Sequence, residues 1–413
     1  MASVEEQLSV LMRGVEYGDK ATQATMEAEL RERLASGKPL RVYAGFDPTA
    51  VDLHLGHLVP MLKLRQFQQL GHHVIFLIGT MTGTVGDPSD KTSARQMLTE
   101  EQVRANAQTW LRQAYRVLDE SKTEVRYNSD WLAPMNFADV VQLASNFTVQ
   151  QFLGHETYKR RIEEGRPLYL HEFIYALMQG YDAYALETDV QIGGTEQLFN
   201  ILAGRTVQNA HGQKPLVAIC MPILTGTDGK LRMSKSTGNY IGLDEPPSEM
   251  YGKVMSITDE LITQYMTPIT GAPADEIAKV ERGLAERTLN PMNTKKRLAR
   301  DVVALLYGDD EARGAQEAFE RVFQRREDPS EDATPVKIET LEGTPVPGDT
   351  PKVSMSLPRL VAKLGEQSMT ESRRLVDQGA IAVNGDVVRG TVVAVALGDV
   401  IRIGRHKFFK VVL

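Results

Sequence analysis

The sequence predicts an α/β protein: a doubly wound parallel sheet first, an α-helical domain next, and a small α+β domain at the end. Three observations carry that prediction. Short apolar runs alternate with helix-length segments through roughly the first half of the chain, the pattern of strand-helix-strand units whose parallel strands are buried on both faces. Glycine-rich turns follow several of those runs, at the edge where such sheets bind ligands. Charge is also divided: within a formal net of −7, residues from Lys352 onward hold ten Lys and Arg against five Asp and Glu, a net of +5 that leaves −12 on the rest. A basic tail on an acidic body points to a separate domain with an anionic partner.

At 413 residues the chain is too long for one ordinary core, and two or three domains are expected. The longest apolar run, Leu216 to Met221 and on to Leu224, falls far short of the roughly 20 residues a bilayer span needs. Acids come early at the N-terminus, without a basic-then-apolar signal pattern, and the single cysteine, Cys220, excludes a disulfide framework within one chain. The expectation is a reducing cytoplasm.

Residues 1–37 read as two packing helices, with Leu8, Leu11 and Met12 on one face of the first and the second spanning Thr22 to Leu34. Arg41 to Phe46 is the opening strand. It breaks at Asp47-Pro48, and a helix runs from Gly56 to Leu70, stopped at Gly71. His54 and His57 stand three apart and project from one side of that helix's first turn, while Gly56 removes a side chain that would keep a flat ring off the backbone. A helix N-terminus beyond a parallel strand offers unpaired N–H groups to an anion, so this stretch reads as a nucleotide site. Val74 to Ile78 forms the next buried strand. Residues 79–90 form a permissive loop whose Asp87 is placed to receive an ammonium group, although Asp-Pro also makes a turn with no ligand. Glu100 to Asn146 reads as helix, short strand (Glu124 to Tyr127), helix.

In the helix from Leu168 to Leu186, Tyr175, Gln179 and Asp182 fall at i, i+4 and i+7 and share one stripe. That stripe fits either a structural network with neighbouring helices or a pocket for a small molecule with an amine at one end and a hydroxyl at the other. The strand Thr188 to Ile192 runs into Gly193-Gly194, where backbone can approach a ligand, and Glu196 is placed for paired ribose hydroxyls. After the Leu216 to Leu224 strand, Lys230, Arg232 and Lys235 sit among Gly and Ser in a loop expected to be mobile, read either as solvated surface or as a phosphate clamp. Helices fill Ser248 to Arg325, including the basic group Lys295-Lys296-Arg297. Five prolines from Arg326 to Lys352 mark a linker. The final segment restarts with helices Leu357 to Leu364 and Thr370 to Gln378, then strands turning at Asn384-Gly385, a strong hairpin signal.

The H-L-G-H of residues 54–57, preceded by G-F-D-P-T-A, and the R-M-S-K-S of residues 232–236 resemble the two signatures of class I aminoacyl-tRNA synthetases. The flanking residues are similar to the bacterial tyrosyl enzymes over nearly the whole chain. In the tail, SRRLVDQGAIAVNG and GDVIRIG resemble the S4 RNA-binding domain. The resemblance implies a Rossmann-like catalytic domain with N-terminal helices over 1–245, a helical tRNA-binding domain over 246–325, a linker over 326–352 and an S4-like RNA-binding domain over 353–413. It implies a two-step ligase reaction: the tyrosine carboxylate attacks the α-phosphorus of ATP and expels pyrophosphate, then a ribose hydroxyl at the tRNA 3′ end takes the tyrosyl group from the adenylate. No side-chain nucleophile is required, only alignment and stabilisation of moving charge.

By the same resemblance, Thr49 and His54 hold the terminal phosphate, His57 lies along the adenosine, and Arg232 and Lys235 act on the transition state. Gly45, Asp47, Gly193, Gly194, Glu196, Met233 and Ser234 complete the ATP site. Asp87, Tyr175 and Gln179 take the α-ammonium, Tyr43 and Asp182 the phenol hydroxyl, and Gln191 and Gln197 finish the amino-acid pocket. Arg373, Arg374, Arg402, Arg405, Lys407 and Lys410 meet RNA. Magnesium travels with ATP and no protein ligand is assigned to it; L-tyrosine, tRNA(Tyr) and a second copy in a homodimer are the other partners, with no membrane. Three departures stand out: Arg232 where the signature has Lys, which keeps charge but changes shape, Leu55 for Ile, and Ala44 where some relatives have Cys. Two rival readings are a tryptophanyl or other class I enzyme and an inactive synthetase-like RNA-binding protein. Tyr43 and Asp182 argue against the first, and intact His54, His57, Lys235, Gly193 and Gly194 against the second.

Overall fold

The computed structural model describes residues 2–48, 52–87, 99–323, 333–347, 350–365, 367–404 and 407–413. The chain divides into two compact units, Met1–Asp244 with Ile257–Thr294, and Glu245–Ser256 with Lys295–Leu413.

The first unit is built on a sheet of β1 (Arg41–Phe46), β2 (His73–Ile78), β3 (Thr123–Tyr127), β4 (Val190–Gly194) and β5 (Val217–Met221), all parallel, in the order β3-β2-β1-β4-β5. Every residue of β5, and of β2 after His73, is buried, as expected of strands covered on both faces. Strand order reverses between β1 and β4. That reversal opens a crevice at their carboxyl ends, where open α/β sheets bind ligands. The helix after β1 spans Leu55–Gln69 and ends before Gly71, whose φ of +89° only glycine adopts at no cost.

Two helices, Leu170–Ala185 and Leu198–Ala210, pack closely through reciprocal small residues. A Cβ on Gly180 would lie 3.1 Å from the Ala203 backbone, and one on Gly204 would lie 2.9 Å from the Ala183 Cβ. This contact fixes the rotation of the first helix and so aims the stripe of Tyr175, Gln179 and Asp182. The N-terminal helices Val4–Leu11 and Lys20–Ala35 are capped by Ser3 and Asp19. Arg33 ties the second of them to Asp189, just ahead of β4.

In the second unit, the Tyr251 ring lies 5.4 Å from that of Phe319, tilted by 50°, and Lys296 pairs with Glu320 at 2.7 Å. The tail holds β6 (Thr334–Lys337), β7 (Thr344–Pro345), β8 (Lys352–Ser356), β9 (Ile381–Val383), β10 (Asp386–Val387), β11 (Val392–Ala396), β12 (Val400–Ile403) and β13 (Lys407–Val412). They form a five-stranded sheet, β10-β9-β12-β13-β6, and a three-stranded one, β11-β8-β7. Asn384 and Gly385 both have positive φ, +52° and +90°, which is the turn their sequence predicts. Part of the segment expected as a linker is woven into these sheets: β6 pairs in parallel with β13, Val336 opposite Val411, and Ile338 and Leu341 enter the tail's core. Proline misled the sequence reading here because β6 and β7 are edge strands, where a missing N–H is tolerated. Among the described residues, no helix is long and apolar enough to cross a membrane.

Candidate active site

A cavity of about 700 Å³ opens at the carboxyl ends of β1 and β4, within the range of small-molecule sites. One end is closed by the sheet. Tyr43 on β1 stands directly across from Gln191 on β4, and the Tyr43 hydroxyl and Gln191 Oε1 are buried with no hydrogen-bond partner among the described residues. Beside them Asp182 is enclosed. Its Oδ1 accepts from Trp131 Nε1 at 2.8 Å and its Oδ2 from Asn128 Nδ2 at 3.2 Å. Burial pushes the Asp182 carboxyl up to about 8, against the pull of those two donors and with a smaller push from Asp47.

A hydrogen-bonded chain runs from Asp182 back along the cavity. Asn128 Nδ2 also donates to Thr82 Oγ1 (2.9 Å), Thr82 donates to Asp47 Oδ1 (2.6 Å), and the Tyr175 hydroxyl donates to Asp47 Oδ2 (2.9 Å). Gly79 makes room for this arrangement, since a Cβ there would fall 1.9 Å from Asp47 Oδ1. Gln179 lines the wall half-buried. Asp87 accepts from Gln197 Nε2, and Gln197 Oε1 accepts from Asn200 at 3.2 Å. A small molecule's amine therefore has carboxylate, amide and hydroxyl oxygens within one wall.

The other end is cationic. His54 caps the Leu55–Gln69 helix, its Nδ1 accepting from the Gly56 N–H at 3.1 Å, and His57 Nδ1 accepts from the His54 N–H at 3.2 Å. The rings lie 3.9 Å apart, and a Cβ on Gly56 would come 2.9 Å from His54 Cε1, so glycine is required between them. Burial, then the neighbouring His57, Lys235 and Arg232, pushes His54 down to about 2; burial and Lys235 push His57 down to about 4. Both rings are therefore neutral at pH 7. With Nδ1 occupied as acceptor, the hydrogen-bond network assigns the proton to Nε2, leaving two N–H donors for an anion.

Facing them is the loop that carries Arg232, Met233, Ser234 and Lys235. Lys235 Nζ lies 3.2 Å from Asp52 and 5.8 Å over the Tyr240 ring. Asn239 cross-braces this loop: its Oδ1 accepts from the Ser234 N–H (2.8 Å), and its Nδ2 donates to Asp228 (3.0 Å) and to the carbonyl of Arg232 (3.1 Å). On the β4 side, Gly193 lies against Ile201 and Gln197, and Gly194 against Glu196, whose Oε2 is buried without a partner among the described residues and whose carboxyl burial pushes up. A Cβ on Gly194 would sit 2.3 Å from that carboxylate.

The cavity thus gathers Gly45, Asp47, His54, His57, Gly193, Gly194, Glu196, Arg232, Met233, Ser234 and Lys235 with Tyr43, Asp87, Tyr175, Gln179, Asp182, Gln191 and Gln197. Thr49 lies outside the described residues. Sequence reasoning missed Thr82, Asn128, Trp131 and Asn239. Asn128 follows β3 directly, so its place at the same carboxyl edge was the available signal. In the second unit, Arg373 and Arg374 are exposed on the Met369–Asp377 helix, where Arg374 pairs with Glu371 at 2.6 Å. Arg402 opposes Phe408 and shares its face with Lys410, whereas Lys407 points to the alternate side and reaches the Gly365 carbonyl at 3.3 Å. Arg405 lies outside the described residues. Among the described residues, no cluster of three or more His, Cys, Asp or Glu is arranged to hold a metal.

Residues 35–324 match the family described as tRNA synthetases class I (W and Y). A tyrosine–tRNA ligase of Moorella thermoacetica is 44% identical over 98% of this chain and 96% of its own length, and one of Symbiobacterium thermophilum is 45% identical over 100% and 98%. Among solved structures, tyrosyl-tRNA synthetase from Archaeoglobus fulgidus, complexed with L-tyrosine, has a TM-score of 0.60 at 23% identity, covering 76% of this chain and all of that one. The C-terminally truncated mitochondrial tyrosyl-tRNA synthetase of Aspergillus nidulans has a TM-score of 0.61 at 24% identity, over 78% and 95%. At those identities the structures speak for the fold.

Proposed function

Because the chain belongs to the class I tRNA synthetases (W and Y), we propose from its cavity how it works as a tyrosine–tRNA ligase. The protein activates L-tyrosine with ATP, releases pyrophosphate, and passes the tyrosyl group to the 3′ end of tRNA. The observation that carries the amino-acid reading is the Tyr43 hydroxyl, buried beside Asp182 at the closed end and unpartnered among the described residues. A phenol hydroxyl entering there donates to the Asp182 carboxylate and accepts from Tyr43. A site built around a substrate hydroxyl rejects the analogue that lacks it because its own buried groups are then left unpaired, a rule for which tyrosine against phenylalanine is itself the standard illustration.

With the ring so placed, the ammonium faces Asp87, Gln179 and Tyr175, and the carboxylate is directed toward the cationic end. Its oxygen attacks the α-phosphorus of ATP; the bond to the pyrophosphate oxygen breaks, and negative charge gathers on the leaving group. Neutral His54 and His57 donate Nε2–H to phosphate and nucleotide oxygens, and Arg232 and Lys235 bring the positive charge that stabilises what develops. Glu196, next to a glycine turn and with an oxygen unpartnered among the described residues, takes the ribose hydroxyls. Magnesium enters as part of the ATP substrate. The side chains crowding the phosphate end are chiefly imidazoles and cations, whereas magnesium prefers oxygen, so the phosphates and water hold it.

A homodimer is part of this reading. Phe137, Val141, Val149, Ile162 and Leu170, all within residues 137–170 of the first unit, are at least half exposed, apolar side chains that a second copy would cover. Arg373, Arg374, Arg402, Arg405, Lys407 and Lys410 supply tRNA contacts in the tail, and the cytoplasm, where tRNA is charged, is the site of action. ATP–pyrophosphate exchange with each amino acid in turn tests the substrate assignment. Tyrosine alone is expected to drive exchange; exchange driven by tryptophan instead would require new roles for Tyr43 and Asp182.

A further inference from the structure

The helix Glu100–Ala114 takes no part in the chemistry described above, yet one face of it touches Pro48, Leu53 and His57. Asn106 Nδ2 donates to the Pro48 carbonyl at 2.8 Å, and the Trp110 ring lies 5.3 Å from His57. One turn further on, fully buried Gln113 accepts from the Leu53 N–H through Oε1 at 2.7 Å. Its Nε2 donates to Asp244 Oδ2 at 2.5 Å. Arg116, just past the helix end, closes the ring by donating to Asp244 Oδ1 at 2.5 Å and to the Leu243 carbonyl at 2.8 Å.

These partners belong to the roots of the two phosphate-facing loops. Residues 53–55 and 241–243 form a short antiparallel rung, with Leu55 N–H to Ile241 O and Leu243 N–H to Leu53 O both at 3.0 Å, and His54 opposite Gly242. The first strand of that rung delivers His54; the second begins five residues after Ser236. A two-stranded pairing this short is marginal by itself. Gln113 grips one side through a backbone N–H and the other through Asp244, so it sets the spacing between them from a rigid helix.

We propose that Gln113, acting through Asp244, is a positioning residue that holds the two phosphate-facing loops in register for adenylate formation; this rests on the adenylate-forming reading of the cavity. It touches no substrate. Its effect is confined to the cationic end, because Tyr43, Gln191 and Asp182 hang from the sheet and from a different helix.

The test uses the full-length protein and compares Gln113→Met with the paired exchange Gln113→Glu plus Asp244→Asn. Gln113→Met leaves the Leu53 N–H and Asp244 without this partner. The paired exchange reverses donor and acceptor in the middle bond while leaving Leu53 an acceptor and Arg116 an oxygen. Gln113→Met is expected to slow adenylate formation by about ten- to hundred-fold, with the tyrosine dissociation constant and transfer from preformed adenylate within about two-fold of the parent, and the paired exchange to recover most of the rate. Weakening of tyrosine binding together with both steps would reduce Gln113 to a general structural role, and an unchanged rate would remove it from the mechanism. If Gln113→Met fails to fold, the paired exchange decides against single Gln113→Glu: recovery supports positioning, and equal deficits overturn it. Absence of exchange in the parent protein would instead overturn the adenylate-forming reading itself.

Discussion

The two ends of the cavity are built by opposite means. At the closed end, one carboxylate, Asp182, and a set of neutral groups hang from strands and helices, and their hydrogen bonds are made to each other except where the Tyr43 hydroxyl and Gln191 Oε1 stand unpartnered among the described residues. At the other end, Arg232 and Lys235 sit on a loop and His54 and His57 on the first turn of a helix, and the histidines are held neutral by burial and by the cations around them. The difference teaches a division of labour. Selecting a hydroxyl needs fixed geometry and an expensive buried charge, whereas moving charge between phosphates needs donors that close around a flexible substrate.

Substitutions at each end separate these functions. His54→Ala is expected to slow adenylate formation by about a hundred- to a thousand-fold while leaving tyrosine affinity and melting temperature near those of the parent. Rapid-quench kinetics beside equilibrium dialysis checks this, and a normal rate from folded protein would take the histidine out of the mechanism. Asp182→Asn should do the reverse, weakening tyrosine binding by about ten- to hundred-fold and narrowing the preference for tyrosine over phenylalanine.

The pH dependence of binding sharpens the contrast. Asp182 in the free protein titrates near 8, well above an ordinary aspartate, because the charged form is desolvated. A phenol hydroxyl donating to it favours the ionised form, so tyrosine binding releases a proton whenever the free carboxyl is protonated. Below pH 8, affinity should therefore fall as pH falls, by up to about ten-fold per unit, and level off above 8. Isothermal titration in buffers of different ionisation enthalpy reads the proton directly; a flat profile, or the same slope in Asp182→Asn, would assign the titration elsewhere.

The smallest effect on either end is expected from removing the tail. Deletion of residues 333–413 should preserve tyrosine activation within about two-fold and weaken tRNA charging, since every cavity residue lies in the first unit. Deletion of only 352–413 should give a less soluble protein. It strips β13 from β6 and leaves Val336, Ile338 and Leu341 uncovered. Equal solubility of the two truncations would mean that β6 does not depend on β13.

What the sequence revealed follows the range of each interaction. The β1 turn, the His54-Gly56-His57 spacing and the Asn384-Gly385 hairpin are local, fixed by steric rules over a few residues, and could be read directly. The stripe of Tyr175, Gln179 and Asp182 was legible as a period, but not which partner each residue would find: Tyr175 binds Asp47 and Asp182 binds Trp131, contacts spanning 128 and 51 residues. Gln113 carried no pattern at all, because its meaning lies in Leu53 and Asp244 meeting around it. Prolines in 326–352 suggested a linker because their effect on a strand depends on whether it lies at an edge, which is a property of the assembled sheet.

The most direct test of the division between the two ends is single-turnover adenylate formation by Lys235→Ala, titrated with tyrosine at saturating ATP. The account predicts a maximal rate reduced by about a hundred-fold or more, reached at the same half-saturating tyrosine concentration as in the parent. A half-saturation point that moves in step with the rate would contradict it, because the closed end would then be sensing a charge it is proposed not to need.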